Sequence, residues 1–297
     1  DEFRRVVVLD NPKKTLPSGW NVALREYKGD AIIKVDAHAV IPEDFVSKNV
    51  RVLETGEYIC GGQRPNIIDK PTPFKETLLL AESSMFGSSI ASYRNNPGKT
   101  YVKSLFHAAY RREVFEKVGF FNEELVRTED NEIHYRMRKA GYKLCFDPDI
   151  ISYQYTRSSL KAMLKQKYAN GYWIGKTSKV CPKCLSIYHF VPFAFVSAII
   201  ASGSVIGATG LAECIKKRHN HTLGKGISAL RKVTVVLTTV MWVLYALMAS
   251  GMAAVSAFKA EDKRNITNAC LPVLFLLLHL SYGIGTIAGL MDKSKRG

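Results

Sequence analysis

The chain has 297 residues, 47% of them hydrophobic, with 42 Lys and Arg against 26 Asp and Glu, a formal net charge of +16. That length allows one large domain or two smaller ones. A basic excess suits nucleic acid, an anionic membrane surface or a phosphate-bearing ligand. No zinc-finger spacing, aromatic RNA-binding signature or recognition-helix pattern accompanies it, and the basic residues crowd against long apolar segments, which favours a membrane partner and no nucleic acid.

In chain order, "RRVVVLD" and "AIIKVD" are rich in β-branched residues and predict strands, with a helix between them over "GWNVALREYKGD" that stops at Gly29. With no initiator Met and no obvious strand ahead of these, the chain is expected to start inside a domain. The second run ends at Asp36-Ala37-His38. Residues two apart on a strand share a face, so Asp36 and His38 converge if the extended backbone persists. A carboxylate oxygen and an imidazole nitrogen suit Mn²⁺ or Mg²⁺; the plainer alternative is a strand exit with Asp36 capping backbone N–H groups. Gly61-Gly62 follows a strand-like run, where a ligand could approach the backbone or a tight turn could form. "LFHAAYRREVFEKVGFF" has helical spacing through Val114, Phe115 and Val118 and breaks at Gly119.

"LVRTEDNEIHYRMRKAGYKL" predicts a helix with Thr128 as N-cap, Glu129, Asp130 and Glu132 in its first turn, and Gly141 as its stop. It reads either as a surface helix or as the seat of a general base, Asp130, whose ionised form the helix dipole favours. "RSSLKAMLKQKYANGYW" puts Leu160, Met163, Leu164 and Tyr168 on one face and Lys161, Lys165 and Lys167 around it. Such a basic amphipathic helix is expected in the headgroup layer, packed on the α/β domain, or both, with Gln166, Tyr168 and Trp173 facing a ligand. "CPKC" has no second half to make a zinc site. The six cysteines, Cys60, Cys145, Cys181, Cys184, Cys214 and Cys270, follow no framework spacing and read as reduced thiols.

Three apolar stretches follow, about 187–211, 233–258 and 269–291, each long enough for a membrane helix. Gly203 with Gly207 and Gly285 with Gly289 suit close helix contact in lipid. Three crossings put "KKRHNHTLGKGISALRK", with His219 and His221 in it, opposite the first half, against the positive-inside tendency. Either that loop is an exception, or the first segment, with Pro192, Gly203, Gly207 and Gly210, is re-entrant.

Together, "LDNPKKTLPSGWNVALREYKGDAIIKVDAHA", "CGGQRP", "SSMFGSSIASYR", "HAAYRREVFEKVGFFNEELVRTEDNE", "RKAGYKLCFDP", "RSSLKAMLKQKYANGYW" and "HLSYGIGTIAGLM" resemble, in order and spacing, glycosyltransferase family 2, in particular its membrane-associated succinoglycan-biosynthesis type. The resemblance implies an α/β nucleotide-diphospho-sugar transferase (GT-A, Rossmann-like) domain over 1–156 whose first strand and uracil-contacting Asp precede Asp1. A basic interface helix and linker over 157–184 and membrane helices over 185–291 would follow. It implies an inverting hexosyltransferase of bacterial exopolysaccharide biosynthesis, multi-pass in the cytoplasmic membrane with its catalytic domain facing the cytoplasm. The expected donor is a nucleotide sugar such as UDP-glucose, and the expected acceptor a lipid-linked (polyprenyl diphosphate) oligosaccharide.

The resemblance puts Asp36 and His38 on the family's Asp-x-Asp metal position. Asp36, Gly61, Gly62 and Arg64 are then expected at the donor, Asp130 as base with Glu129 beside it, and Gln166, Tyr168 and Trp173 at the acceptor and interface. Gln166 to Trp173 is a loose Gln-x-x-Arg-Trp motif in which Tyr168, Ala169 and Asn170 stand where the Arg would be. The competing functions are a processive polysaccharide synthase and a non-catalytic membrane scaffold with a degenerate transferase domain.

Overall fold

The computed structural model describes residues 6–87, 98–218, 224–260 and 264–293. Residues 6–10 form no strand: Val6 and Val8 are 79% and 93% exposed, because no described segment offers their backbone a partner. His219 and His221 lie outside the described residues.

The first helix, α1 (Leu16–Glu26), starts earlier and ends earlier than expected. Pro17 sits in its first turn, where a missing N–H costs nothing, and Tyr27 returns to extended backbone before Gly29 is reached. Then come β1 (Ala31–Ile33), β2 (Ala39–Val40), α2 (Phe45–Glu54), β3 (Ile59–Gln63), β4 (Asn66–Ile67), α3 (Pro73–Ser83), β5 (Thr100–Val102) and β6 (Ala108–Arg111). They are followed by α4 (Arg112–Val118), α5 (Glu129–Lys139), β7 (Leu144–Ile151) and β8 (Tyr153–Tyr155). The stretch expected to be helical from residue 105 is therefore irregular to residue 107, strand over Ala108–Arg111 and helix only from Arg112. Gly119, at φ +82°, ends that helix as expected.

Five strands form a mixed sheet in the order β1-β6-β3-β7-β5; β3 is parallel to β7 and antiparallel to β6. A small second sheet, β2-β8-β4, lies at its end. The period of two sorts side chains to two cores. Ile59, Tyr110, Leu144 and Phe146 face α1, α4 and α5, where Leu24, Val114, Phe115, Ile133 and Met137 cover them. Cys60, Ala109 and Cys145 face the other way, onto Phe45, Val52 and Leu53 of α2. Burying each large apolar side chain in these layers contributes about 1.5–3 kcal/mol.

The helical half begins with α6 (Leu160–Val180), capped by Ser159, whose hydroxyl accepts from Ala162 N. Three helices follow, α7 (Val191–Arg218), α8 (Lys225–Lys259) and α9 (Leu271–Met291), and each, α7 and α9 with the short turn that leads into it, is long and apolar enough to cross a membrane. α7 runs unbroken through Gly203, Gly207 and Gly210. The Gly203–Gly207 pair mediates no contact among the described residues, since a Cβ at either would meet nothing within 4 Å. Gly285 and Gly289 do pack closely, but against α6. Cys181 and Cys184 frame a 3-10 turn in which the Cys184 thiol donates to Cys181 O at 2.9 Å.

Candidate active site

Extended backbone persists beyond β1: Lys34 N donates to Ala108 O at 2.9 Å. Lys34 and Asp36 therefore leave the sheet on one face, and the chain turns only when Ala39 N reaches Asp36 O at 2.9 Å. From the other side, the N-terminus of α5 delivers Glu129 and Asp130. Thr128 is the N-cap position, but its hydroxyl caps nothing; it hydrogen-bonds Thr177 of α6 instead. Arg127 beside it donates to Asn170 Oδ1 at 3.1 Å, so the start of α5 is held by α6 at two points.

Lys34 joins the two acidic groups. Its side chain is 5% exposed and its Nζ lies 2.6 Å from Asp130 Oδ1, over the Trp20 ring. Burial disfavours its ammonium, yet the charges of Asp130, Glu129 and Asp36 together raise its pKa above the ordinary value. Asp36 is the mirror case. Burial opposes its ionisation, but His107, then Lys34 and His38, hold its pKa below the usual carboxylate range. His107 Nε2 stands 3.8 Å from Asp36 Oδ2, an electrostatic contact longer than a hydrogen bond, and His107 Nδ1 is fixed by the Ser152 hydroxyl at 2.8 Å.

Glu129 is buried, and desolvation, reinforced by the Asp130 charge, pushes its pKa up to about 8. Its protonated form is favoured at neutral pH, and Asp130 is the carboxylate at the start of α5 that pairs with Lys34. Folded protein then holds more protons than unfolded protein between 4.5, the ordinary value for this carboxyl, and about 8. The stability this residue contributes therefore falls as pH rises through that window. Glu129→Gln is expected to remove that loss: pH-dependent melting should show the variant gaining on the unsubstituted chain from pH 5 to pH 8.

The residues fit a divalent cation. Asp36 Oδ1 is buried with no hydrogen-bond partner among the described residues, which is costly unless a cation or donor satisfies it. Ala37 and His38 sit inside the turn that Ala39 N closes on Asp36 O, so the extended spacing expected to bring Asp36 and His38 together does not hold. His38 still acts electrostatically on Asp36, and the Gln154 amide meets its Nε2 at 3.0 Å. Among the described residues no third His, Cys, Asp or Glu completes a cluster, so a hard cation here would draw the rest of its shell from phosphate oxygens and water.

Of the other expected site residues, Gly61 and Gly62 lie inside β3, and their missing side chains are accounted for by the sheet itself. A Cβ at 61 would come within 2.6 Å of His107 O, and one at 62 within 2.0 Å of Ile150 O. Arg64 is 3% exposed and lies over the Phe106 ring at 4.1 Å, next to His107. On α6, Trp173 is buried edge-on to Tyr172, and the Tyr168 carbonyl lies against Gly285. Gln166 is half-buried, and no hydrogen bond, ion pair or ring contact joins these three to Asp36, Glu129 or Asp130.

Residues 31–285 match the family described as "Glycosyl transferase family group 2". The chain belongs to that family. A succinoglycan biosynthesis protein, ExoA, from Rhizobium meliloti (strain 1021), is 29% identical over 175 residues, 57% of this chain and 52% of the relative. A dolichyl N-acetyl-α-D-glucosaminyl phosphate 3-β-D-2,3-diacetamido-2,3-dideoxy-β-D-glucuronosyltransferase from Methanococcus voltae is 23% identical over 206 residues, 67% of this chain and 63% of the relative. The O-antigen chain rhamnosyltransferase RfbN of Salmonella typhimurium is 29% identical over 133 residues, 43% of this chain and 42% of the relative. The chain thus spans between two fifths and two thirds of the length of these relatives. Lys34, Asp36, Glu129 and Asp130 all fall within the matched span.

Proposed function

We propose that this family 2 glycosyltransferase moves one sugar, in a single inverting displacement, from a nucleotide-diphosphate donor to a lipid-linked acceptor. UDP-glucose is the first donor to try, and a polyprenyl diphosphate oligosaccharide of bacterial exopolysaccharide synthesis the first acceptor. The observation that carries the reading is the pull of Asp36 and Asp130, from opposite elements, on the buried ammonium of Lys34, which lies 2.6 Å from Asp130 Oδ1. The succinoglycan role of the Rhizobium relative supports the polymer, and the lipid phosphate in the Methanococcus relative's name supports the acceptor class. The apolar helices support work at a membrane, with the catalytic domain on the cytoplasmic side where nucleotide sugars are made.

In this mechanism Asp130 accepts the proton of the acceptor hydroxyl. The hydroxyl oxygen attacks the anomeric carbon from the face opposite the diphosphate. The bond from that carbon to the phosphate oxygen breaks, and its electron pair leaves with the nucleoside diphosphate. Lys34, released from Asp130 as that carboxylate takes the proton, stays as a fixed positive charge in a buried setting, where it acts more strongly than in water. Protonated Glu129 adds no second negative charge to repel the diphosphate. Asp36 and His38 would hold Mn²⁺ or Mg²⁺, which supplies positive charge to a departing diphosphate.

Product analysis tests the reading. Membranes carrying the full chain, given nucleotide sugars, Mn²⁺ and lipid extract, should add a single residue with its anomeric configuration opposite to the donor's. Retained configuration, or a ladder of polymer from one donor, would contradict it.

A further inference from the structure

α9 is as apolar as the two helices before it, and its 21 residues rise about 31 Å, enough for a hydrocarbon core about 30 Å thick. Its surroundings differ from theirs. Only 6% of the apolar stretch of α7 and of α8 is covered by protein, against 39% for α9. Most of the cover is α6, which runs parallel to α9 with its close contacts between Ser281 and Asp292. α3 and the end of α8 pack with Leu271–Leu278, and Gly283 meets Pro192 and Val196 of α7. A Cβ on Gly171, Gly175, Gly285 or Gly289 would meet a backbone carbonyl of the facing helix at between 2.0 and 2.5 Å. At the near end Thr77 of α3 donates to Asn268 Oδ1 at 2.7 Å. At the far end Asp292 meets Lys176 at 3.3 Å, and Lys179 donates to Asp292 O at 2.8 Å.

α6 is in turn fastened to the catalytic domain over the same length. Lys167 pairs with Glu82 of α3 at 2.8 Å, Asn170 accepts from Arg127, and Thr177 bonds Thr128 at the start of α5. A crossing α9 would carry α6, its lysines and the faces of α3 and α5 into the hydrocarbon. What α9 leaves uncovered is one stripe. Val273, Leu277, Leu280, Ile284, Ile287 and Met291 recur every three or four residues, and Val273, Ile284 and Met291 are at least half exposed. The exposed Lys161, Lys165 and Lys179 of α6 flank that layer with positive charge.

We propose that α9 lies in the plane of the bilayer, with this apolar stripe sunk into the headgroup–acyl boundary of the leaflet on which the catalytic domain rests, and that only α7 and α8 cross. A single apolar stripe beside basic side chains is the surface an anionic lipid face accepts. The residue after α9 then stands on the same side of the membrane as the active site. The start of α5 rests on α6 and α6 on α9, so the leaflet is held at a fixed height below Glu129 and Asp130.

Sidedness tests this in the full chain in sealed native membrane vesicles of both orientations, with Cys214 and Cys270 replaced by Ser. A membrane-impermeant maleimide is applied to Ser47→Cys on the catalytic domain, Lys225→Cys at the start of α8 and Lys293→Cys after α9. The expected result is labelling of Ser47→Cys and Lys293→Cys from one face and Lys225→Cys from the other. Labelling of Lys293→Cys from the face opposite Ser47→Cys, or of Lys225→Cys from the same face as Ser47→Cys, overturns the proposal. A depth measurement keeps it testable apart from sidedness. A fluorophore on Val273→Cys, Leu280→Cys or Ile287→Cys should be quenched by brominated lipids at one shared shallow depth, and a depth that runs across the bilayer along the three would overturn it.

Discussion

Asp130→Asn is expected to lower sugar transfer by about 10²–10⁴-fold, the contribution of a positioned general base, while donor binding stays largely unchanged. The substitution keeps the shape of a side chain that is 19% exposed at the start of α5 and removes only its charge. The amide still accepts from Lys34 through its oxygen, so the local fold survives and the loss falls on proton removal. Initial rates with a saturating donor, beside a melting curve, separate the two. Near-normal transfer in a folded variant would discard Asp130 as the base.

Lys34→Met is expected to damage both stability and transfer. The methionine fills the slot beneath Trp20, but the carboxylates of Asp130 and Asp36 lose their shared counter-charge. Removing one partner of a fully buried pair costs about 3–5 kcal/mol, and the partial exposure of Asp130 moves the expectation to the low end, about 3 kcal/mol. The double variant Lys34→Met, Asp130→Asn should be more stable than the sum of the single losses predicts, because the second change removes the charge the first left uncompensated. Chemical denaturation of the four species in detergent closes that cycle. Strict additivity would mean that the ion pair does not hold the two elements together.

The acidic groups were legible because each is set by local chemistry. Asp36 and His38 end an apolar run with period-two spacing, while Glu129 and Asp130 open a helix whose stop, Gly141, takes a positive φ. Lys34 was within reach of the same argument, since it shares a strand face with Asp36, but it sits inside the apolar run and reads as part of the strand. His107 carries no local signal. Its approach to Asp36 depends on β6 pairing with β1, between segments some 75 residues apart, and pairing order is not written in either segment.

Glycines misled in a different way. Gly61 and Gly62 signal close approach to backbone, but what approaches is the carbonyls of His107 and Ile150. Gly285 and Gly289 signalled close helix packing correctly, yet the partner is α6, because hydropathy cannot tell a stripe covered by protein from one covered by lipid. Of the strand expected over "RRVVVLD", residues 6–10 have no neighbour among the described residues: β-branched content makes a segment suited to a sheet but supplies no ladder.

The central claim is a division of labour between Asp36 and Asp130 about one ammonium. Its most direct test is calorimetric titration of UDP-glucose, with and without Mn²⁺, into the full chain carrying Asp36→Ala or Asp130→Asn. The account predicts that Asp36→Ala loses the Mn²⁺-dependent part of donor binding and Asp130→Asn keeps it. Equal donor affinity in the two variants, or loss of donor binding in Asp130→Asn alone, would contradict it.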